Sequence, residues 1–390
     1  MADLWITNVR LGRAHALTDL VILDGRVVSI GAPPVDWVGP TIDARGQLAI
    51  PGLIDGHAHV DKTLWGLPWR SHTGGDTLAS LIENGRVARA ELPPTAERAA
   101  AIFETYVANG TSMIRTHVDV DLDNGVDDVA AVAEVAARFG DRLDVEIVAF
   151  PQSGMLVAPG VADLLDASIG AGASLIGGID PAGFDGDPVK HLDTIFAIAD
   201  RHGCGVDLHL HDEGTLGRWE MGLVVERTKA LSLQGKVTVS HAFCLCDGDP
   251  SIDPLLEQIA EQRIGLATVA PNTVEPLPFT RIVELGIGLC LGQDGVCDLW
   301  SPWGDGDMLA RAGLMAWRSD FRHDHDIEFC LEIATTRGAA ALGITDHGLH
   351  IGGRGDLVIL DAVHPAAAAA RHPPRSMVIK RGLVVVDNSR

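Results

Sequence analysis

The chain has 390 residues, 46% hydrophobic and 21% charged, the balance of a soluble globular protein with a sizeable core. At roughly 150 residues per domain, that length suggests two or three units, or one large barrel with an appendage. Acids outnumber bases 53 to 30, for a formal net charge of −23; this argues against nucleic acid, whose phosphates need a basic footprint, and against an anionic membrane surface.

The N-terminus, Met1-Ala2-Asp3-Leu4, lacks a basic stretch followed by an apolar one, so no secretory signal is read there. Apolar runs such as Gly205–Leu210 fall far short of the ~20 residues that span a bilayer. The six cysteines form no CxxC pair, so reduced thiols in a cytoplasmic protein are expected.

Residues 4–50 read as short strands and turns: Leu4–Val9, Asp19–Leu23, a turn at Asp24-Gly25, then Arg26–Ile30. Strand-like apolar runs then recur roughly every 30 residues. They are Leu48–Ile54, Ser112–Val118, Leu143–Phe150, Ser174–Ile179, Gly205–His211, Val237–Ala242, Ile264–Val269 and Ile287–Leu291. Between several of them lie helix-period segments: Ala96–Val107, Asp127–Phe139, Pro159–Gly170, His191–His202 and Leu255–Gln262. Continuously apolar strands alternating with helices predict an α/β protein built on a (β/α)8 TIM barrel. Residues 355–388 return to strands and turns, with Leu357–Leu360, Met377–Lys380, a turn at Arg381-Gly382, and Leu383–Val386. The two ends are expected to pair. Residues 1–50 with 350–390 then form one small β-sandwich domain, and 51–349 the catalytic barrel.

Catalytic residues of such barrels sit at the C-terminal ends of the strands, and ligand-type residues cluster there. The first run leads into Gly56-His57-Ala58-His59-Val60-Asp61-Lys62. His57 and His59 are two apart on a strand, so both imidazoles point to one side. The fifth run ends in His209-Leu210-His211-Asp212-Glu213, the sixth in Ser240-His241, and the eighth leads to Gln293-Asp294. One such histidine alone is more often a hydrogen-bonded core residue. Several, with an aspartate, compose a catalytic metal site with a position left for water. A bound divalent ion lowers the pKa of that water and makes hydroxide available at neutral pH.

The stretch Pro51-Gly52-Leu53-Ile54-Asp55-Gly56-His57-Ala58-His59 resembles the signature of the amidohydrolase superfamily, over nearly the whole chain. Thr116-His117-Val118-Asp119, Val148-Ala149-Phe150-Pro151-Gln152, Ser240-His241, and Asp294 followed by Asp298, Trp300, Pro302 and Gly304 resemble the cytosine deaminase branch. The resemblance implies one divalent metal ion, zinc or iron with manganese also suited, held by His57, His59, His209 and Asp294. It implies that Asp294 also takes a proton from the metal's water, and that His241 polarises the water or the tetrahedral intermediate. Gln152 matches a pyrimidine-binding position, and Trp300 would shape the pocket. The fourth run ends in Gly177-Gly178-Ile179-Asp180, with no lysine for a two-metal bridge. Homo-oligomers are common among such relatives.

Two positions depart from cytosine deaminases. Their proton-shuttling glutamate lies three residues after the fifth-strand histidine; here that position is Asp212, with Glu213 next. One of the two does this work, or the proton takes another route. Lys62 stands where an uncharged residue is usual and resembles the N-isopropylammelide amidohydrolases, as does Asp180, 29 residues before His209. Lys62 either stabilises negative charge on the substrate or forms a salt bridge with Asp61 or Asp180 at the rim. His211 is a substrate contact, an outer support for the metal site or an alternative ligand. His117 and Asp119 follow a strand end and could face the pocket. Trp65, Trp69, Trp300 and Trp303 flank strands one and eight, where they could wall a flat heterocycle or plug the barrel mouth.

The expected activity is metal-dependent hydrolysis of a C–N bond in a cyclic amidine. A cytosine- or triazine-like heterocycle loses its amine through metal-bound hydroxide. Alternatives are release of an alkylamine from a triazine, ring opening of a cyclic amide, and a catalytically inactive metal-binding assembly protein.

Overall fold

A computed structural model describes residues 2–13, 16–31, 33, 36–75 and 77–389. Five strands open the chain: β1 Leu4–Leu11, β2 Thr18–Leu23, β3 Arg26–Ile30, β4 Thr41–Asp43 and β5 Leu48–Pro51. The barrel follows as β6 Leu53–Ala58, α1 Leu78–Ala88, α2 Thr95–Ala108, β7 Thr111–Asp119, α3 Asp127–Phe139, β8 Asp144–Phe150, α4 Val161–Ala171, β9 Leu175–Ile179 and α5 Pro188–His202. It continues as β10 Gly205–Leu210, α6 Gly214–Ala230, β11 Val237–His241, α7 Asp253–Glu261, β12 Gly265–Thr268, α8 Phe279–Leu285 and β13 Leu289–Leu291. Three helices cover its last edge: α9 Met308–Arg318, α10 Asp324–Ile333 and α11 Thr336–Ala341. The chain ends with β14 Leu357–Leu360, α12 Pro365–Arg371, β15 Arg375–Lys380 and β16 Leu383–Asp387.

Strands β6 to β13 pair in parallel in chain order. The circle closes through a bridge between Ala58 and Asp294. The protein is therefore a (β/α)8 barrel, as the alternation of strands and helices predicts. Helices on the outside and side chains on the inside bury both faces of each strand, which is why all nine residues of β7 are buried.

The predicted run Leu48–Ile54 splits in two. Leu48–Pro51 pairs with β1 and β14 in the terminal sheet, and the barrel begins only at Leu53. Gly52 stands at the seam, where a Cβ would lie 2.6 Å from Ser112 Oγ. The helices over 214–230 and beyond 308 were not singled out from sequence.

The two chain ends meet in one sheet, ordered β16-β15-β14-β5-β1-β2-β3, with β4 also against β1. β1 belongs to both halves: Leu4–Ile6 pair with β2 and Arg10–Leu11 with β5, and the register shifts between. The sheet folds there around a core that includes Leu4, Ile6, Leu20, Ile22, Ile359 and Ile379. Both predicted hairpin turns have two residues at positive φ: Asp24 48° with Gly25 74°, and Arg381 48° with Gly382 78°. That is the mirror-image turn whose twist suits paired strands.

Lys380 joins this sheet to the barrel. Its buried ammonium donates to Ser112 O at 2.9 Å, Asp144 Oδ2 at 2.8 Å and Asp356 Oδ2 at 2.9 Å. Among the described residues, no helix is long and apolar enough to cross a membrane.

Candidate active site

The strand ends place the predicted residues around a cleft of about 340 Å³. His59, Lys62, Gln152, His209, His211, His241, Asp294 and Trp300 line it, together with Ile179 and Asp298. Three of the loops begin in strained backbone: Asp180, His241 and Asp294 have φ of 30°, 70° and 66°. Such values in residues other than glycine cost of order 1–3 kcal/mol each and cluster where side chains must be aimed.

Nitrogen and oxygen atoms converge at the cleft floor. His59 Nε2 lies 3.2 Å from His209 Nε2. Asp294 Oδ1 lies 3.4 Å from His59 Nε2 and 3.8 Å from His57 Nε2. His57, His59, His117 and His209 form one group whose ligand atoms lie within 4.8 Å of one another; His57, His241 and Asp294 form a second. Burial, with the neighbouring histidines and Lys62, holds the pKa values of His57 and His59 well below the usual range. Burial and the surrounding histidines do the same for His209 and His241. Neutral imidazoles are the form that binds a metal.

The protonation of His57 follows from its partners. Ser240 Oγ donates to Asp207 Oδ1 at 2.9 Å. Burial disfavours charge on Asp207, yet His117, Arg115 and His57 hold its carboxyl down at about 2, so it accepts only. A serine hydroxyl has one proton, so the 2.8 Å contact between Ser240 Oγ and His57 Nδ1 must be donated by His57. Nε2 then carries a lone pair, and this buried atom has no hydrogen-bond partner. A buried lone pair facing a carboxylate and two imidazoles fits a divalent cation.

Asp55 supports the floor. Its Oδ1 accepts from His57 N and Gln293 N, both at 3.1 Å, and its Oδ2 accepts from Tyr106 at 2.7 Å. One carboxylate thus ties the first strand to the residue before Asp294. Sequence reasoning assigned no role to Asp55 or Asp207; both are long-range supports without a spacing of their own.

Lys62 reaches into the cleft, not out to the rim. Its Nζ lies 2.9 Å from Asp119 Oδ1 and donates to Gln152 Oε1. It stands 3.3 Å from His59 Nδ1 and 5.3 Å from the Trp300 ring centroid. Burial opposes its charge, but Asp119 and Asp61 outweigh this and raise its pKa. Behind it, a second cleft of about 570 Å³ shares Lys62, Gln152 and Trp300.

His211 also lines the cleft. Asp180 accepts from its backbone N at 2.6 Å and faces its Nδ1 at 2.8 Å. Burial works against the imidazolium, but Asp180 prevails and raises the pKa of His211. Asp212 and Glu213 are not among the lining residues. Asp212 accepts from Gly183 N at 3.2 Å, and Glu213 stands just before α6 without a side-chain capping bond. His117 is buried beneath the floor, its Nε2 3.3 Å from Asp207 Oδ1. Of the tryptophans, Trp300 lines the cleft, Trp65 bonds to Thr105, and Trp69 and Trp303 are exposed.

A further residue without a sequence signal steadies the walls. Asp185 accepts the backbone N–H groups of Met155 at 3.0 Å, Leu156 at 3.0 Å and Val157 at 3.3 Å. It also faces His191 Nδ1 at 2.6 Å. It thereby clamps the loop after Gln152 to the loop after Asp180.

A barrel with histidines and an aspartate at its strand ends defines a metal-site hydrolase scaffold. The chain belongs to the amidohydrolase family, which it matches over residues 81–386, and is an enzyme that hydrolyses carbon–nitrogen bonds. The N-isopropylammelide isopropyl amidohydrolase of Pseudomonas sp. (strain ADP) is 30% identical over 400 residues, 99% of this chain and 98% of the relative. The crystal structure of N-isopropylammelide isopropylaminohydrolase from Burkholderia multivorans ATCC 17616 is 41% identical with a TM-score of 0.95, covering 100% of this chain and 99% of that one. That of 5-methylcytosine deaminase from Klebsiella pneumoniae, liganded with 5-fluorocytosine, is 27% identical with a TM-score of 0.86, covering 98% and 97%.

Proposed function

We propose that this enzyme hydrolyses the bond between a ring carbon and an exocyclic amine on an oxygenated N-heterocycle, with an N-alkylated dihydroxytriazine as the leading substrate. The observation that carries this reading is the Lys62 ammonium inside the cleft, held by Asp119 and Gln152 beside His59. A buried cation facing the substrate suits a ring that bears oxyanion or carbonyl oxygens. The likeness to the two N-isopropylammelide hydrolases supports it.

One divalent ion, zinc, iron or manganese, would be held by His57, His59, His209 and Asp294. When bound, it supplies hydroxide as a nucleophile at neutral pH. Asp294 accepts the proton lost from the attacking water. The new C–O bond and the breaking C–N bond leave a ring carbonyl and a free amine. His241 donates to the oxygen that gains charge. His211, whose imidazolium form Asp180 favours and which lines the cleft, is the group placed to hand a proton to the departing nitrogen. It takes the part that the sequence leaves between Asp212 and Glu213.

Lys62 has three N–H bonds, and its neighbours are Asp119, Gln152 and His59 Nδ1. A neutral His59 that ligates through Nε2 carries its proton on Nδ1 and cannot accept from Lys62. The third N–H is then left for a substrate oxygen. Lys62 engages Gln152 Oε1, which leaves the amide N–H groups of Gln152 available to a ring oxygen or nitrogen.

Amine and ammonia release is measured with metal-replete protein across pyrimidines, triazines and creatinine-like rings, for wild type and Lys62→Met. Alkylamine release from an N-alkylated dihydroxytriazine, lost about 100-fold or more in the variant, is the expected result. Turnover of cytosine-like rings unaffected by the substitution sinks the triazine reading and leaves a cytosine-type deaminase. No release from any ring removes both.

A further inference from the structure

We propose that Asp298 selects the ring. Its free carboxylate oxygen accepts a hydrogen bond from a ring N–H, so the site favours heterocycles in their lactam form, with N–H beside C=O. This rests on the reading that the substrate is an oxygenated N-heterocycle.

Asp298 lines the same cleft as His59, Lys62, Gln152 and Asp294. Its two oxygens have different duties. Oδ1 accepts from Trp300 N and Ser301 N, both at 2.8 Å, which fixes the orientation of the carboxylate. Oδ2 has no hydrogen bond among the described residues. Burial pushes the carboxyl up to about 6, against the pull of the two N–H groups, as befits an acceptor short of donors.

Gly295 makes this placement possible. A Cβ there would stand 1.8 Å from Asp298 Oδ2 and 2.7 Å from its Cγ. Any side chain at 295 would push the carboxylate from the place it holds. Asp298 also holds the backbone of Trp300, whose indole faces the Lys62 ammonium. The cleft therefore presents a donor, Lys62, and an acceptor, Asp298 Oδ2. A lactam edge offers the complement, a carbonyl beside an N–H. A fully aromatic ring nitrogen would set a lone pair against the carboxylate and leave it unpaired. Sites built to hydrogen-bond an N–H discriminate strongly for that reason.

The test uses metal-replete wild type, Asp298→Asn, Gly295→Ala and the double variant. The probes are trihydroxytriazine, the ring left when oxygen replaces the amine, and its N-trimethylated form. Binding is measured by calorimetry and turnover by amine release. Asparagine keeps an oxygen for the Trp300 and Ser301 N–H groups and turns an NH2 toward the ring. Trihydroxytriazine is expected to bind Asp298→Asn about 10–100-fold more weakly, while the trimethylated ring shows no such ratio. Gly295→Ala should match it, and the double variant should be no worse than either. Equal binding of trihydroxytriazine by wild type and Asp298→Asn, or an equal loss for both rings, overturns the inference while leaving the reaction in place if amine release persists. A wild type that releases no amine but discriminates the rings through Asp298 overturns the reaction and keeps the inference. A wild type that binds neither ring overturns the inference.

Discussion

Asp294 closes the barrel on His57. Its backbone N donates to His57 O at 2.9 Å, and its O accepts from His59 N at 3.2 Å. The end of β6 and the residue beyond it, which carry the two histidines, are thus stitched by main-chain bonds to the aspartate that faces them. The candidate ligand set is assembled by the same contact that completes the fold.

The His57–Ser240–Asp207 chain predicts a metal-binding variant. Ser240→Ala removes the acceptor of His57 Nδ1 and releases the choice of tautomer. Supports of this kind are worth about 10–100-fold in metal affinity. Titration against a chelator should show that loss with the fold intact by circular dichroism. An unchanged affinity means that Ser240 does not set the tautomer.

Glu220 predicts a pH effect on stability. Burial, followed by the Asp212 charge, pushes its carboxyl up to about 8 from 4.5, against the hydrogen bond from Ala182 N. The folded state therefore holds a proton that the unfolded state releases. The associated stability is fully present below about 4.5 and is lost as pH rises through about 8. Glu220→Gln keeps the neutral shape at every pH. Its urea midpoint relative to wild type should rise between pH 5 and pH 8; parallel curves would exclude this account.

The Asp185 clamp predicts coupled losses. Asp185→Ala strands the Met155 and Leu156 N–H groups and the His191 ring. The expected cost is about 1–3 kcal/mol of stability, with a raised KM because Gln152 loses its adjoining support. A variant that is destabilised with KM unchanged would confine Asp185 to a structural role.

Lys380→Met tests the joint between sheet and barrel. It leaves Asp144 and Asp356 without the buried ammonium, a change that typically costs 3–5 kcal/mol. A melting temperature within one degree of wild type would show that Arg381 and Arg354, which also pair with Asp144, suffice.

What the sequence determined by itself is what local periodicity can carry. Buried parallel strands are continuously apolar, so β7 to β13 stand within a residue or two of their predicted ranges. His57 and His209 lie on β6 and β10, as their apolar runs predict, but His59 and His211 stand one residue past those strands, so the pleat that would give each pair a shared face covers only its first member. The two-residue turns at Asp24-Gly25 and Arg381-Gly382 are equally local. The tertiary structure decided whatever depends on distant partners. His57 meets Ser240 across 183 positions, and Gln293 meets Asp55 across 238; no spacing encodes either. Strand-end backbone turns His211 into the cleft and leaves Asp212 and Glu213 outside its lining, although all three are neighbours in the chain. Gly295 and Asp298 show the limit most plainly. Whether a carboxylate enters a cleft depends on which atom is missing beside it, and only packing in three dimensions reveals that space.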